Sequence, residues 1–281
     1  MVDGWEWDPT LFLGSARYYP RGRLPYAPGL PELMAAVLPP GGGARLLDLG
    51  CGPGTLSLPL APLFDQVVGV DPDRDMLDQA SRRAAEAGRS TRMRWIRARA
   101  EELTDPQLDL GTFRAAAFGQ SFHWMDRDAV AAIVLDLLEP GGVLLHVSDL
   151  KTEQRTTHGL PCPAVPYPAV DELVRRYLGQ DRRAGRGVLP RGTPDGEAGI
   201  LARAGFAGPR RHVLPGGEAL ERSREDVAAW VFSLSSSAPH LFDTRLEAFA
   251  ADLDRLLLDT SPSGLFSERV PSTEVFVWRK P

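Results

Sequence analysis

An open, mostly parallel seven-stranded α/β sheet with helices on both faces is the fold this sequence predicts. Three observations carry that expectation. Short β-rich apolar runs alternate with helical segments from residue 45 to residue 147. The first two runs are almost wholly apolar, as strands covered on both faces require. Each run ends in a glycine, proline or acidic turn, the spacing of strand-to-helix connections in a doubly wound sheet.

The elements follow in order. Pro39-Pro40-Gly41-Gly42-Gly43 breaks the chain, and Arg45 to Gly50 reads as the first strand. Thr55 to Phe64 predicts a helix shortened by Pro59 and Pro62. Gln66 to Asp71 is the second strand. Asp73 to Ala87 is an amphipathic helix, with Asp73 as its cap and Gly88 as its stop. Met93 to Ala98 and Phe113 to Phe118 are the third and fourth strands. A helix is expected from Asp126 to Leu138, a turn over Glu139-Pro140-Gly141-Gly142, and a fifth strand from Val143 to Val147. The pattern then loosens. Thr152 to Pro168 and Gly185 to Gly196 read as loops, and Val170 to Leu178 and Glu197 to Ala204 as helices. Phe206 to Leu214 returns as a strand. Asp226 to Leu234 and Leu241 to Leu258 read as helices outside the sheet. Ser272 to Arg279 alternates as a last strand.

Composition narrows the function classes. The chain has 281 residues, of which 43% are hydrophobic and 25% charged, the balance of a globular protein. At roughly 150 residues per domain this is about two domains, or one with an appended cap. Lys and Arg number 32 against 37 Asp and Glu, a net charge of −5. An acidic chain lacks the basic face that nucleic acid rewards. Lysine occurs only at Lys151 and Lys280, an arginine bias of the kind GC-rich coding produces. Cys51 and Cys162 form no CxxC pair, so no metal site is expected, and a reducing cytoplasm is. Asp3, Glu6 and Asp8 leave the N-terminus without a signal-peptide core, and no apolar run is long enough for a bilayer.

Asp48-Leu49-Gly50-Cys51-Gly52-Pro53-Gly54 is the most informative segment. Three glycines directly after a strand let the backbone turn sharply and approach a ligand closely. The dinucleotide fingerprint G-x-G-x-x-G is incomplete, because Thr55 and Leu56 follow Gly54. Asp48 would repel a pyrophosphate but suits a cationic amino-acid group. Asp71, at the end of the second strand, is placed to accept both hydroxyls of an adenosine ribose. The plainer alternative is a structural strand-to-helix turn.

By these motifs the sequence resembles the class I S-adenosylmethionine (SAM)-dependent methyltransferases, in particular the small-molecule group of ubiquinone/menaquinone-biosynthesis type. The resemblance runs from about Leu46 to Val147. It is carried by the glycine segment, Val68-Gly69-Val70-Asp71, Ala100-Glu101-Glu102-Leu103 and Leu138-Glu139-Pro140-Gly141-Gly142. It implies a Rossmann-like sheet and SAM as cofactor, with S-adenosylhomocysteine as product. It implies that Gly50, Gly52 and Gly54 line the methionine and ribose portion, and Asp48 and Cys51 of the same segment are counted with them as candidate cofactor contacts. Asp71 would hold the ribose, Pro72 and Met76 would lie near the adenine, Ala100 and Glu101 would meet its edge, and Gly119-Gln120 would lie beneath the sulfonium. Leu150 to Pro194 and Gly216 to Pro271 read as insertions that cap one edge of the sheet, which divides the chain into a segment over the cofactor site (1–40), a SAM-binding core (41–149), a cap insertion with the sixth-strand region (150–215), and a helical insertion with the final strand (216–281).

The acceptor side is less legible. Gln120-Ser121-Phe122-His123-Trp124-Met125-Asp126 follows the fourth strand, where donor and acceptor should meet. His123 is the candidate general base, and Phe122 and Trp124 offer ring faces to a sulfonium or an aromatic acceptor. The alternative is that all three anchor the loop, with Asp126 capping the next helix. His146, Asp149 and His158 are reserve acceptor contacts, each equally readable as a structural or surface residue. Tyr18-Tyr19-Pro20-Arg21-Gly22-Arg23 mixes rings and guanidinium groups. Tyr18 and Arg23 are its candidate cofactor contacts and Tyr19 its substrate contact; a proline-rich strap is the other reading. Cys162, between two prolines in a loop, resembles a cytosine-methylating nucleophile only superficially, and Cys51 reads as a small buried side chain.

The reading is a methyltransferase acting on a small molecule, in bacterial specialised metabolism. Its partners are that acceptor and no nucleic acid or membrane, and it acts as a monomer or homodimer. The alternatives are a SAM-binding enzyme of cyclisation or decarboxylation, a nicotinamide-dependent oxidoreductase, and a non-catalytic binding protein.

Overall fold

The computed structural model describes residues 8–41, 43–150, 157–180, 183–184, 187–188 and 196–281. Residues 152–156 of the loop expected over 152–168, residues 185–186 and 189–195 of the loop expected over 185–196, Gly42 of the glycine break, and the acidic residues Asp3 and Glu6 lie outside them. The chain divides into two compact units, the first assembled from residues 26–151, 194–215 and 272–281, the second from 1–25, 152–193 and 216–271.

The first unit is built on a seven-stranded sheet. Its strands are β1 (Arg45–Leu49), β2 (Gln66–Val70), β3 (Met93–Ile96), β4 (Phe113–Gly119), β5 (Leu138–Asp149), β6 (Ala207–Leu214) and, past two strands of the second unit, β9 (Thr273–Arg279). Their spatial order is β3-β2-β1-β4-β5-β9-β6. The pairs among β1 to β5 are parallel, and β9 runs antiparallel to both β5 and β6. The order reverses at β1, which has β2 on one side and β4 on the other. That reversal opens a crevice at the carboxyl ends of β1 and β4, where open α/β sheets bind ligands.

Alternation along each strand divides the apolar residues between two cores. Leu47, Leu49, Val68, Val70, Ala116 and Phe118 pack with Val130 and Val134 of α5 (Arg127–Leu137) and Leu201 of α7 (Glu197–Ala204). Leu46, Val67, Ala115, Ala117, Leu145 and Val275 pack with Leu30 and Met34 of α2 (Leu30–Val37) and Leu60 of α3 (Ser57–Leu60). Both faces are therefore covered, which explains why β1 and β2 read as mostly apolar runs, with Asp48 the charged residue inside β1.

The local expectations hold with three corrections. The helix α4 (Arg74–Glu86) is capped by Asp73, which accepts from the backbone N–H of Asp75 at 2.8 Å and of Met76 at 3.2 Å. Likewise Asp126 caps α5 by accepting from Ala129 N–H at 3.2 Å. The single helix expected over 55–64 is instead the short α3 followed by a 3₁₀ turn, Ala61–Leu63, because Pro59 and Pro62 interrupt the hydrogen-bond ladder. The expected turn over 139–142 lies within β5 as a bulge. Leu138 pairs with Phe113 and Val143 with Ala115, while Gly141 N–H and Gly142 C=O bond Lys280. The helix expected over 241–258 begins as a 3₁₀ stretch, Pro239–Arg245, and becomes α9 (Leu246–Thr260) past Asp243, whose φ is 48°.

The second unit contains α1 (Tyr19–Gly22), α6 (Tyr167–Leu178), α8 (Arg224–Phe232) and α9. It also has an antiparallel pair, β7 (Ala219–Ser223) with β8 (Leu265–Arg269), which the sequence pattern does not reveal. A two-residue ladder joins 183–184 to 187–188. Its core gathers Val170, Leu173, Val227, Phe232, Phe249 and Phe266, with the Phe242 and Phe249 rings stacked at 4.1 Å. Arg222 and Glu268 form a buried ion pair at 3.3 Å. Arg222 also donates to Gly22 C=O at 2.8 Å, and Tyr167 OH donates to Glu268, so that pair is hydrogen-bonded on both sides. Gly22 permits the close approach of α1 to α8, since a Cβ there would lie 2.4 Å from Ala229 O.

Candidate active site

The site of the sheet unit begins with the backbone of the glycine segment. Gly50, Gly52 and Gly54 have φ values of 63°, 52° and 75°, a left-handed conformation that side chains resist. Cys51 N–H donates to Val70 O at 3.0 Å, which ties the turn to the end of β2. Gly54 C=O then accepts from Leu58 N–H at 3.0 Å and leads into α3. A Cβ on Gly50 would lie 2.6 Å from Ser121 Cβ, whereas one on Gly52 would meet no atom within 4 Å. The turn is therefore packed at Gly50 and open at Gly52.

Asp71 stands beside this opening. Its Oδ2 accepts from Gly52 N–H at 2.9 Å and its Oδ1 from Asp73 N–H at 2.9 Å. Each carboxylate oxygen keeps a lone pair for a further donor. Burial raises the Asp71 pKa to about 6, and the two backbone N–H groups hold it from rising further. Asp48 lies deeper, at 1% exposure. Ser57 Oγ donates to its Oδ2, while Oδ1 is buried with no partner among the described residues. Burial raises the Asp48 pKa to about 7 against the opposing pull of Ser57, and the nearby Asp71 charge adds to the rise. Burial and both carboxylates push the Cys51 thiol well above its usual range, and the side chain is buried.

The remaining residues follow β2, lie in α4, or come from the later parts of β3, β4 and β5 and the turns after them. Met76 is buried, and Pro72 C=O accepts from Arg97 Nε at 3.3 Å. Ala100 is buried and Glu101 Oε1 accepts from Asp126 N–H at 2.7 Å, joining that segment to the start of α5. A Cβ on Gly119 would lie 2.8 Å from Tyr26 Oη. Gln120 adopts φ 55° and donates its N–H to Val147 O at 3.0 Å, so β4 ends in a kink aimed out of the sheet. Ser121 Oγ donates to Leu49 O at 2.5 Å and fastens that kink to β1. Phe122 has no exposed surface. Its ring lies 4.5 Å from Phe118 and 6.2 Å from His146, an anchoring position rather than a face offered to an acceptor. His123 and Trp124 follow on a half-exposed 3₁₀ turn with ring centroids 4.5 Å apart. His146 pairs in register with Phe118, and Asp149 ends β5 opposite Thr273.

Four candidates belong to the second unit. Tyr18 packs against Phe232 at 5.0 Å and under the Arg17 guanidinium. The Arg23 guanidinium lies over the Tyr19 ring at 4.8 Å and donates to Ser233 O at 3.2 Å. His158 is exposed, and its C=O accepts from Arg269 at 3.0 Å. Sequence reasoning missed Ser57, Ser121 and Tyr26, whose roles depend on contacts between distant segments. It also missed Trp95. A Cβ on Gly69 would lie 2.3 Å from Trp95 Cζ3, and one on Gly54 3.2 Å from Trp95 Cη2. The indole thus lies across β2 and reaches the glycine turn. Gly69→Ala is expected to destabilise the chain by about 1–3 kcal/mol through overpacking. Urea unfolding should show Gly69→Ala costing much less when introduced into Trp95→Ala than into the parent, because the indole is the nearest obstacle and the next atom, Cys51 Sγ, lies 3.0 Å from the new Cβ.

The strand order and the glycine turn beside an acidic strand end define the class I SAM-dependent methyltransferase fold. Comparison with known proteins agrees: residues 46–142 match the methyltransferase domain model. Residues 46–142 thus carry a methyltransferase domain, and SAM is the cofactor of that class. An uncharacterized methyltransferase of Mycobacterium tuberculosis is 35% identical over 148 residues, 52% of this chain and 56% of that protein. The chain thus spans little more than half the length of that relative. A ubiquinone biosynthesis O-methyltransferase of Azorhizobium caulinodans is 45% identical over 71 residues, 25% of this chain and 27% of that protein. The solved structure of the YcgJ protein of Bacillus subtilis shares the fold, with a TM-score of 0.50 at 18% identity, covering 89% of this chain and 97% of that one. Among the described residues, no helix is long and apolar enough to cross a membrane, and no His, Cys, Asp and Glu cluster is arranged for a metal.

Proposed function

We propose that this protein transfers the methyl group of SAM to a small-molecule acceptor, in bacterial specialised metabolism. The observation that supports this most is the glycine turn, open at Gly52 and flanked by the Asp71 carboxylate. The residues present suit the cofactor. Asp71 accepts the ribose hydroxyls. The backbone at Gly50 and Gly52 lies against the methionine portion. Asp48, whose Oδ1 lacks a partner among the described residues, sits on the side where a cationic amino group belongs.

When bound, SAM supplies an activated methyl on a cationic sulfur. The chain then has to hold the acceptor in line and exclude water. The kink at Gln120 and the His123-Trp124 turn form the wall where that alignment takes place. His123 takes a proton only from acceptors that must lose one, which fits the small amount of catalytic machinery the site displays.

Calorimetric titration with S-adenosylhomocysteine, with NADH as control, tests the cofactor. Transfer of a labelled methyl from SAM into a panel of phenols, amines and acidic carbon compounds tests the reaction. Saturable binding of S-adenosylhomocysteine alone, followed by labelled product, is the expected result. NADH binding without S-adenosylhomocysteine binding would overturn the reading.

A further inference from the structure

A hollow of about 550 Å³ lies on the sheet face that carries α2, far along the strand order from the glycine turn. Leu33, Ala36 and Val37 of α2 form one wall, and Val277 of β9 contributes to the floor. The register of β9 with β6 sets Arg210 opposite Val277 and His212 opposite Val275. Side chains opposite each other on paired strands share a face. Arg210 and His212 therefore stand with Val275 and Val277 on the α2 side, joined by Arg279 two residues beyond Val277.

The chemistry of this lining is one-sided. It holds two guanidinium groups and an imidazole, and no carboxylate. Arg279 donates to the carbonyls of Val37 at 2.8 Å and Gly141 at 3.5 Å, neutral partners that leave its charge uncompensated. The Nε2 of His212 is buried and has no hydrogen-bond partner among the described residues. A buried polar atom without a partner is destabilising, a cost that a ligand acceptor would offset. This cationic cluster sits in a chain of net charge −5, so it is a local reversal of sign. Its volume lies in the range of small-molecule sites, roughly 300–1,000 Å³.

We propose that this hollow is a second binding site, for a small apolar carboxylate. The alkyl or aryl body lies against Leu33, Ala36, Val37 and Val277. The carboxylate faces Arg210 and Arg279 and accepts a hydrogen bond from His212. An alcohol or amine of the same length matches the walls but not the charge.

Calorimetry of the whole chain with octanoate tests this, with octanol and octylamine as comparators. Octanoate should bind saturably, at least tenfold more tightly than either comparator. Ala36→Trp fills the hollow and Arg210→Glu reverses its charge, and each should abolish the binding. His212→Leu should weaken it about tenfold. Unchanged thermal melting, and unchanged S-adenosylhomocysteine affinity, show that the variants remain folded. Absence of saturable binding overturns the proposal, as does octanol binding equally well or octanoate binding that survives Ala36→Trp. Self-association blocked by Ala36→Trp also overturns it, because a second copy of the chain would then be the occupant.

Discussion

Asp71→Ala is expected to weaken S-adenosylhomocysteine binding by at least about 100-fold. Two hydrogen bonds to a charged group contribute roughly 1.5–3 kcal/mol each, and 1.4 kcal/mol is a factor of ten. Calorimetry measures the loss directly. Asp71→Asn keeps one acceptor oxygen and should lose less. Because Asp71 also receives Gly52 N–H and Asp73 N–H, both variants need melting curves to separate a lost ribose contact from a loosened turn. The parent carries a further signature. The Asp71 pKa is raised to about 6, so the accepting carboxylate predominates above that value. Affinity should fall as pH drops through about 6, and Asp71→Asn should flatten that dependence. An affinity unaltered by Asp71→Ala would remove the basis for the ribose assignment.

Asp48 carries the second large effect, on stability. Its pKa rises from an ordinary 3.8 to about 7, so the folded state holds this proton more tightly than the unfolded state. The contribution is complete below about 3.8 and disappears as pH rises through about 7. Above that range the chain holds a buried carboxylate with one oxygen that has no partner among the described residues. A tenfold difference in proton affinity between the two states is worth about 1.4 kcal/mol, so the full swing is a few kcal/mol. Asp48→Asn keeps an acceptor for Ser57 and has no charge to bury. In chemical denaturation without ligand it should exceed the parent in stability at about pH 8, by an amount that shrinks toward about pH 5. The same variant should bind S-adenosylhomocysteine more weakly, since Asp48 is assigned to the amino group. A parent and variant with parallel pH profiles would show that Asp48 titrates normally.

Legibility from sequence differed between the two units for physical reasons. The strands β1 and β2 are buried on both faces, so their runs were mostly apolar, broken within β1 only by Asp48, and their bounds readable to within a residue. Capping was legible because Asp73 and Asp126 bond to N–H groups two or three residues away. The β7–β8 pair was not, since its strands are some forty residues apart and their sequences, ALERS and LFSER, alternate weakly. The centre of the proposed cofactor site is one continuous turn whose backbone needs glycine, and glycine is visible. Ser57, Ser121, Tyr26 and Trp95 act across segments that only folding brings together. Phe122 illustrates the remaining ambiguity: sequence allowed a ring presented to an acceptor or a loop anchor, and its burial against Phe118 decides for the anchor.

The position of β9 bears on how the sheet is completed. It separates β5 from β6 and hydrogen-bonds both, although it is the last of the seven to be synthesised. Until residues 273–279 emerge, β5 presents an unpaired edge and β6 has no neighbour in the sheet. Loop closure over such sequence distances is slow, and exposed strand edges invite pairing with other chains. The late, non-local docking of β9 is thus the step at which a nascent or refolding chain is most exposed to aggregation.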